Sequence, residues 1–255
     1  MEIKSPSNLG KLLRSFVSFF KQVLIAHWRS LLTLLVGVYV PLQIFELLAV
    51  EIWQNQGAFP WDERILLAVH GTASTQLDVF AATLTKLGSF SIAFPIAILL
   101  SLRLLLQRRW RSLIYLITAL LGSAIINNAA KTFLHRVRPH LWESFYPLPH
   151  SYAFPSGHAM TSMTIAVALI VLTWNSFWCL PIAIVGSLYA IAIAWTRLYL
   201  GVHFPSDILA GWMVSLAWTV GIAFLIKPHL TKAIAENNQS AKEDSLLPEE
   251  TATSN

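Results

Sequence analysis

The chain has 255 residues, of which 55% are hydrophobic and only 12% are charged. A soluble domain carries about 25% charged residues, so most of this chain does not face water. The net charge of +5 is read as the basic excess of cytoplasmic loops, and no nucleic-acid partner is expected.

In chain order, residues 1–29 form a cytoplasmic N-terminal segment. Its apolar residues Leu12, Phe16, Phe19, Phe20, Val23 and Leu24 recur at helical spacing beside Lys11, Arg14 and Lys21, which predicts an amphipathic helix on the membrane surface. A first span follows over about residues 30–50, longer than a cleaved leader's apolar core. Residues 51–87 carry the breakers Gly57, Pro60 and Gly71, so Asp62–His70 and Gln76–Leu87 are expected as short interfacial pieces. Apolar runs of about 20 residues suffice to cross a hydrocarbon core. They place further spans near residues 88–107, 111–131, 156–174, 180–197 and 206–226. The expected fold is an all-α, single-domain bundle of six transmembrane helices over residues 30–226, with a polar, disordered cytoplasmic tail over residues 227–255. Oligomeric state is left open. The lone Cys179, between Trp178 and Leu180, reads as a packed thiol, and no cysteine cluster suggests zinc.

Basic residues set the orientation. With both termini inside, the cytoplasmic segments hold the larger share of Lys and Arg. The expected location is the plasma (inner) membrane, multi-pass, with Trp28, Trp110, Trp174 and Trp178 at the inner interface and Trp53, Trp61 and Trp142 at the outer. Six crossings then bring three segments to one non-cytoplasmic face: Lys131 to Arg138-Pro139 after the third span, Pro155-Ser156-Gly157-His158 opening the fourth, and Thr196-Arg197 through His203 and Asp207 between the fifth and sixth.

Three cations, two histidines and a carboxylate at one membrane surface suit phosphoryl transfer, which needs prepositioned charge on the non-bridging oxygens. Lys131, Arg138 and Arg197 can supply that charge without a metal. Ser156 and Gly157 add backbone N–H groups at a helix N-terminus. Asp207, four residues after His203, can hold one ring nitrogen of His203 and leave the other to attack phosphorus. His158 then serves as acid toward the leaving oxygen and as base toward water.

These three motifs, in this order and at span ends, resemble the signature of the type 2 phosphatidic acid phosphatase superfamily. The motifs cover residues 131–207, and the span layout extends the likeness over about residues 30–226. The resemblance implies a lipid phosphate or lipid pyrophosphate hydrolase with His203 as nucleophile, a phosphohistidine intermediate and no cofactor. Candidate substrates are phosphatidic acid, phosphatidylglycerophosphate or a polyprenyl pyrophosphate. Thr196 stands where the family usually has serine, and it keeps the hydroxyl. Two alternatives use the same residues: a lipid phosphotransferase, in which an acceptor hydroxyl captures the phosphohistidine, and a non-enzymatic anionic-lipid binder or transporter. A vanadium-dependent oxidase ranks below both.

The remaining polar residues carry blander expectations. His135, Arg136, His140 and His150 are assigned to solvated or headgroup contacts, and Asp62, Arg64 and His70 to interfacial anchoring. Asn127 and Asn128 either support Lys131 or bridge two spans. Glu46, inside the first span, has no partner that the sequence identifies.

Overall fold

The computed structural model describes residues 8–55 and 57–228. The expected tail beyond residue 228 lies outside the described residues, as do residues 1–7 at the start. The described chain is helical, without strands, in nine α-helices: α1 (Asn8–Leu34), α2 (Val40–Asn55), α3 (Asp62–His70), α4 (Thr75–Leu84), α5 (Phe90–Leu106), α6 (Trp110–Leu134), α7 (Gly157–Leu172), α8 (Cys179–Tyr199) and α9 (Pro205–Ile226). The protein is a multi-pass membrane protein.

The six apolar segments read from the sequence all form helices, of unequal length. Three of them, α6, α8 and α9, are long and apolar enough to cross a membrane, and a fourth candidate runs from Lys11 to Asn55. α5 meets the test together with α4 and the 3₁₀ turn Thr85–Gly88, across a bend of 40°. α7 has 16 residues, fewer than the roughly 20 that a full crossing needs. α7 packs against α6, α8 and α9 at the centre of the bundle. Small buried residues, Ala159, Ser162, Thr164, Ala166 and Ala168, let the neighbouring helices approach it.

The amphipathic N-terminal helix differs from expectation in one respect. No break separates it from the first span, because α1 passes through a π-helical turn at Leu35–Tyr39 into α2. Its 45 residues from Lys11 to Asn55 correspond to about 68 Å of helix, more than twice a hydrocarbon core. Residues 11–36 are exposed apart from a half-buried Val23, whereas α2 buries Leu48 and Ile52 beside Leu134, Phe154 and Ala210. Glu46 pairs with Gln43 of its own helix at 3.0 Å on the exposed face.

Helix ends follow their end residues. Pro205 opens α9, where a missing N–H costs nothing, and the Asp207 side chain accepts the Phe204 N–H at 2.9 Å. α6 stops at His135, which takes a left-handed conformation with φ 48°. The short α3 and α4 cover the end of α8, next to the segment that carries the second half of the site.

Candidate active site

Five segments build the site. The end of α6 supplies Lys131, and the extended stretch after it supplies Arg138. The start of α7 gives Ser156, Gly157 and His158. The end of α8 supplies Arg197, and the turn into α9 supplies His203 and Asp207. Lys131, Arg138, Gly157, His158, Arg197 and His203 all line one cavity of about 850 Å³. The rings of His158 and His203 therefore share one space on one side of the bundle.

His203 is held at both nitrogens. Its Nδ1 lies 3.3 Å from Asp207 Oδ2, and its Nε2 lies 3.1 Å from Arg138 Nη1. A guanidinium only donates, so Nε2 is the acceptor and the proton sits on Nδ1, facing the carboxylate. That tautomer leaves the Nε2 lone pair on the side of the cations. Burial first, and then the charges of Arg138, Arg197 and Lys131, hold the imidazole well below the usual histidine range, so it is neutral.

The cations are anchored through their surroundings. Lys131 donates to the Tyr152 carbonyl at 2.6 Å, and Arg138 to the carbonyls of Ser151 at 2.8 Å and Val202 at 2.6 Å. Burial first, and then the neighbouring Arg197, lower Arg138 to about 10. Arg197 is 1% exposed and donates through Nη1 to Thr85 Oγ1 at 2.9 Å. Its Nε and the Ser156 hydroxyl are buried without a hydrogen-bond partner. Unpaired buried donors beside three cations are what an absent anion would satisfy.

Ser156 needs a correction. Its backbone N–H was expected to be free, but it donates to the Asp207 carbonyl at 3.1 Å, so its hydroxyl is the group left available. The open amides lie one step on, at Gly157, His158 and Ala159. These are the first residues of α7, and no Ser156 side-chain cap covers them. Gly157 packs closely there, since a Cβ would stand 3.3 Å from Asn127 Oδ1. The Asn127 amide is aimed at the start of α7. It donates to the Pro155 carbonyl at 3.1 Å and so ties α6 to the turn that opens α7.

Other assignments change as well. Arg136, expected among headgroups, is fully buried and paired with Asp62 and Asp207, while Asp62, expected at the interface, is fully buried too. Trp142 stacks on His70 with ring centroids 4.0 Å apart. Thr85 carried no signal in the sequence. Arg136 carried none that sets it apart from Arg138: in the extended run Arg136-Val137-Arg138, Val137 is 73% exposed and both arginines turn toward the start of α9. Among the described residues, no group of three His, Cys, Asp or Glu side chains is placed to hold a metal ion.

The turn that presents His203 depends on Gly201. Its φ is +66°, and an added Cβ would stand 2.5 Å from Trp142. Gly201→Ala is expected to destabilise the protein by about 1–3 kcal/mol, through backbone strain and displacement of the indole. Thermal unfolding in detergent checks this, and a melting temperature equal to that of the unmodified protein contradicts it.

A pocket that gathers cations around two histidines, with a carboxylate behind His203, in a bundle of apolar helices fits a membrane phosphatase. The chain belongs to the PAP2 superfamily, whose family model matches residues 112–229. It is 30% identical over 204 residues to phosphatidylglycerophosphatase B of Bacillus subtilis, covering 74% of this chain and 94% of that one. It is 30% identical over 146 residues to an undecaprenyl-diphosphatase of Sulfolobus acidocaldarius, covering 56% of this chain and 65% of that one, slightly under two thirds of the relative's length. The crystal structure of the transmembrane PAP2-type phosphatidylglycerolphosphate phosphatase from Bacillus subtilis superposes with a TM-score of 0.61 at 28% identity. That match covers 76% of this chain and 98% of the other.

Proposed function

We propose that this protein hydrolyses the phosphate or diphosphate end of a membrane lipid through a phosphohistidine on His203, at the non-cytoplasmic face of the plasma (inner) membrane with both termini inside. The observation that carries the proposal is the shape of the cavity. Its charged end holds Lys131, Arg138, His158, Arg197 and His203, and its apolar part runs between α5 and α6 past Phe94, Ile98, Leu105, Ile117 and Leu113. A headgroup at one end and a hydrocarbon tail along the other match that division.

From Lys131 back to Leu113, the α6 wall is about 27 Å long at 1.5 Å per residue. That length approaches a whole hydrocarbon core of about 30 Å and suits a tail longer than one leaflet. A polyprenyl diphosphate therefore ranks ahead of phosphatidic acid and phosphatidylglycerophosphate.

In the reaction, Lys131, Arg138, Arg197 and the first amides of α7 grip the phosphoryl oxygens. His203 Nε2 forms a bond to phosphorus as the bond to the leaving oxygen breaks, and His158 gives that oxygen a proton. Water then attacks the phosphohistidine, His158 takes the proton back, and phosphate leaves with His203 restored.

The test is phosphate release by purified protein in detergent from undecaprenyl diphosphate, phosphatidic acid and phosphatidylglycerophosphate. Turnover is expected to persist in EDTA, to stop with vanadate and to be fastest on the polyprenyl substrate. Headgroup binding without phosphate release from any of the three would overturn the enzymatic reading. Label passing to a second lipid instead of water would change hydrolase to transferase.

A further inference from the structure

Behind the nucleophile, away from the cavity, lies a buried ionic cluster that the reaction described above does not use. Arg136 and Asp62 are 0% exposed, and neither lines the cavity. Arg136 Nη1 donates to Asp207 Oδ1 and, at 2.7 Å, to Ser206 Oγ. Its Nη2 donates to Asp62 Oδ2 at 2.8 Å and to the Gly57 carbonyl at 3.0 Å. The guanidinium lies 4.5 Å from the Phe204 ring centroid. Asp62 in turn accepts the Ser206 N–H at 2.9 Å and the Ser206 hydroxyl at 2.6 Å. A carboxylate from α3 thus sits at the N-terminus of α9, where the helix dipole favours an anion.

We propose that Arg136, fixed by Asp62 and Ser206, is a positioning residue that holds the Asp207 carboxylate, and through it the His203 ring, in the attacking orientation. The two oxygens of Asp207 have separate tasks. Oδ2 faces His203 Nδ1 and the Phe204 N–H, while Oδ1 faces Arg136. A carboxylate held at one oxygen only can turn about its Cβ–Cγ bond. Held at both, it offers His203 a single fixed acceptor.

Charge supports the same assignment. Asp62 and Asp207 are two buried carboxylates on either side of one cation, and without that cation they repel each other and Asp207 Oδ1 is left unpaired. Asp207 would then relax toward Arg138 or take up a proton. Either change removes the acceptor that keeps the proton on Nδ1 and the lone pair on Nε2.

The inference rests on His203 as nucleophile, and the experiment separates the two claims. Arg136→Met, Arg136→Lys, Asp207→Asn, the Arg136→Met/Asp207→Asn double variant and His203→Ala are compared for kcat and KM on the preferred lipid. Arg136→Met is expected to lower kcat about 100-fold, the scale of a misaligned proton-transfer partner, with KM changed less than about threefold because Arg136 does not touch the phosphate. The double variant is expected to match Asp207→Asn within about threefold, because residues acting as a unit do not add. Arg136→Lys, whose single ammonium cannot bridge both carboxylates, is expected to lose about tenfold in kcat.

If Arg136→Met does not fold, Arg136→Lys decides alone. A kcat within twofold of the unmodified protein would overturn the inference. So would losses in the double variant that multiply, or a raised KM with unchanged kcat. An active His203→Ala would instead remove the reading on which the inference stands.

Discussion

His203→Ala is expected to lower phosphate release by about 10⁴-fold or more, the scale seen when a member of a nucleophilic constellation is removed. The ring has no substitute. It is the imidazole whose Nδ1 faces Asp207 and whose Nε2 faces Arg138 among the cations. Among the described residues no carboxylate is paired with His158 to fix its tautomer, so it is not expected to take over the attack. Steady-state turnover measures the loss, and a rapid acid-free quench with labelled substrate tests for protein-bound label. The unmodified protein should carry alkali-stable, acid-labile phosphate during turnover, and the variant none. Label retained in His203→Ala would place the nucleophile elsewhere. Because burial and the nearby cations keep His203 well below the usual histidine range, its attacking form persists through mildly acidic pH. Activity lost near pH 6 is thus expected to report another group.

The part of the candidate site legible in the sequence is its charged and titratable set at and beside the cavity. Lys131, Arg138, Arg197, His158, His203 and Asp207 are costly residues at the ends of apolar segments, and that cost singles them out. The supports were harder to read, because their partners are set by packing. Arg136 and Arg138 differ by two positions in one loop, and composition gives no reason to treat them differently. Only the start of α9 separates them, with Asp207 and Ser206 facing one and His203 the other. Asp62 lies 144 residues before Ser206, which it holds, and a contact over such a distance leaves no local pattern. Thr85 is likewise an ordinary threonine until the fold puts it against Arg197.

The helices show the same division. Hydropathy located all six apolar segments, since burial in lipid or protein demands the same residues. It did not show that α7 is short, because a central helix within a bundle reads like one in lipid. It also missed the continuity of α1 into α2. A surface helix and a helical extension share the same periodicity, and no Pro or Gly marks a boundary between Lys11 and Leu35. The Ser156 amide was misread for a related reason. A helix N-terminus implies open N–H groups, but the Asp207 carbonyl occupies this one, and the tie binds the second motif to the third.

His158→Ala should separate the two halves of the reaction. On a lipid substrate, whose leaving alkoxide needs a proton, the variant is expected to lose about 10²–10⁴-fold in turnover, the usual contribution of a positioned acid–base group. On an activated aryl phosphate, whose leaving group departs without a proton, the first step needs His158 far less. The second step still needs it, because water must be deprotonated as it attacks the phosphohistidine. The variant is therefore expected to release aryl alcohol in a burst of about one equivalent and then stall, with the label held on His203. Such a stall follows from the proposed reaction, in which Lys131, Arg138 and Arg197, all lining the cavity, would hold the phosphoryl group after the first transfer as well as before it. Vanadate is expected to suppress the burst, and His203→Ala to abolish it. Equal losses on lipid and aryl substrates, with no burst, would mean that His158 only shapes the pocket and that the proton comes from another group.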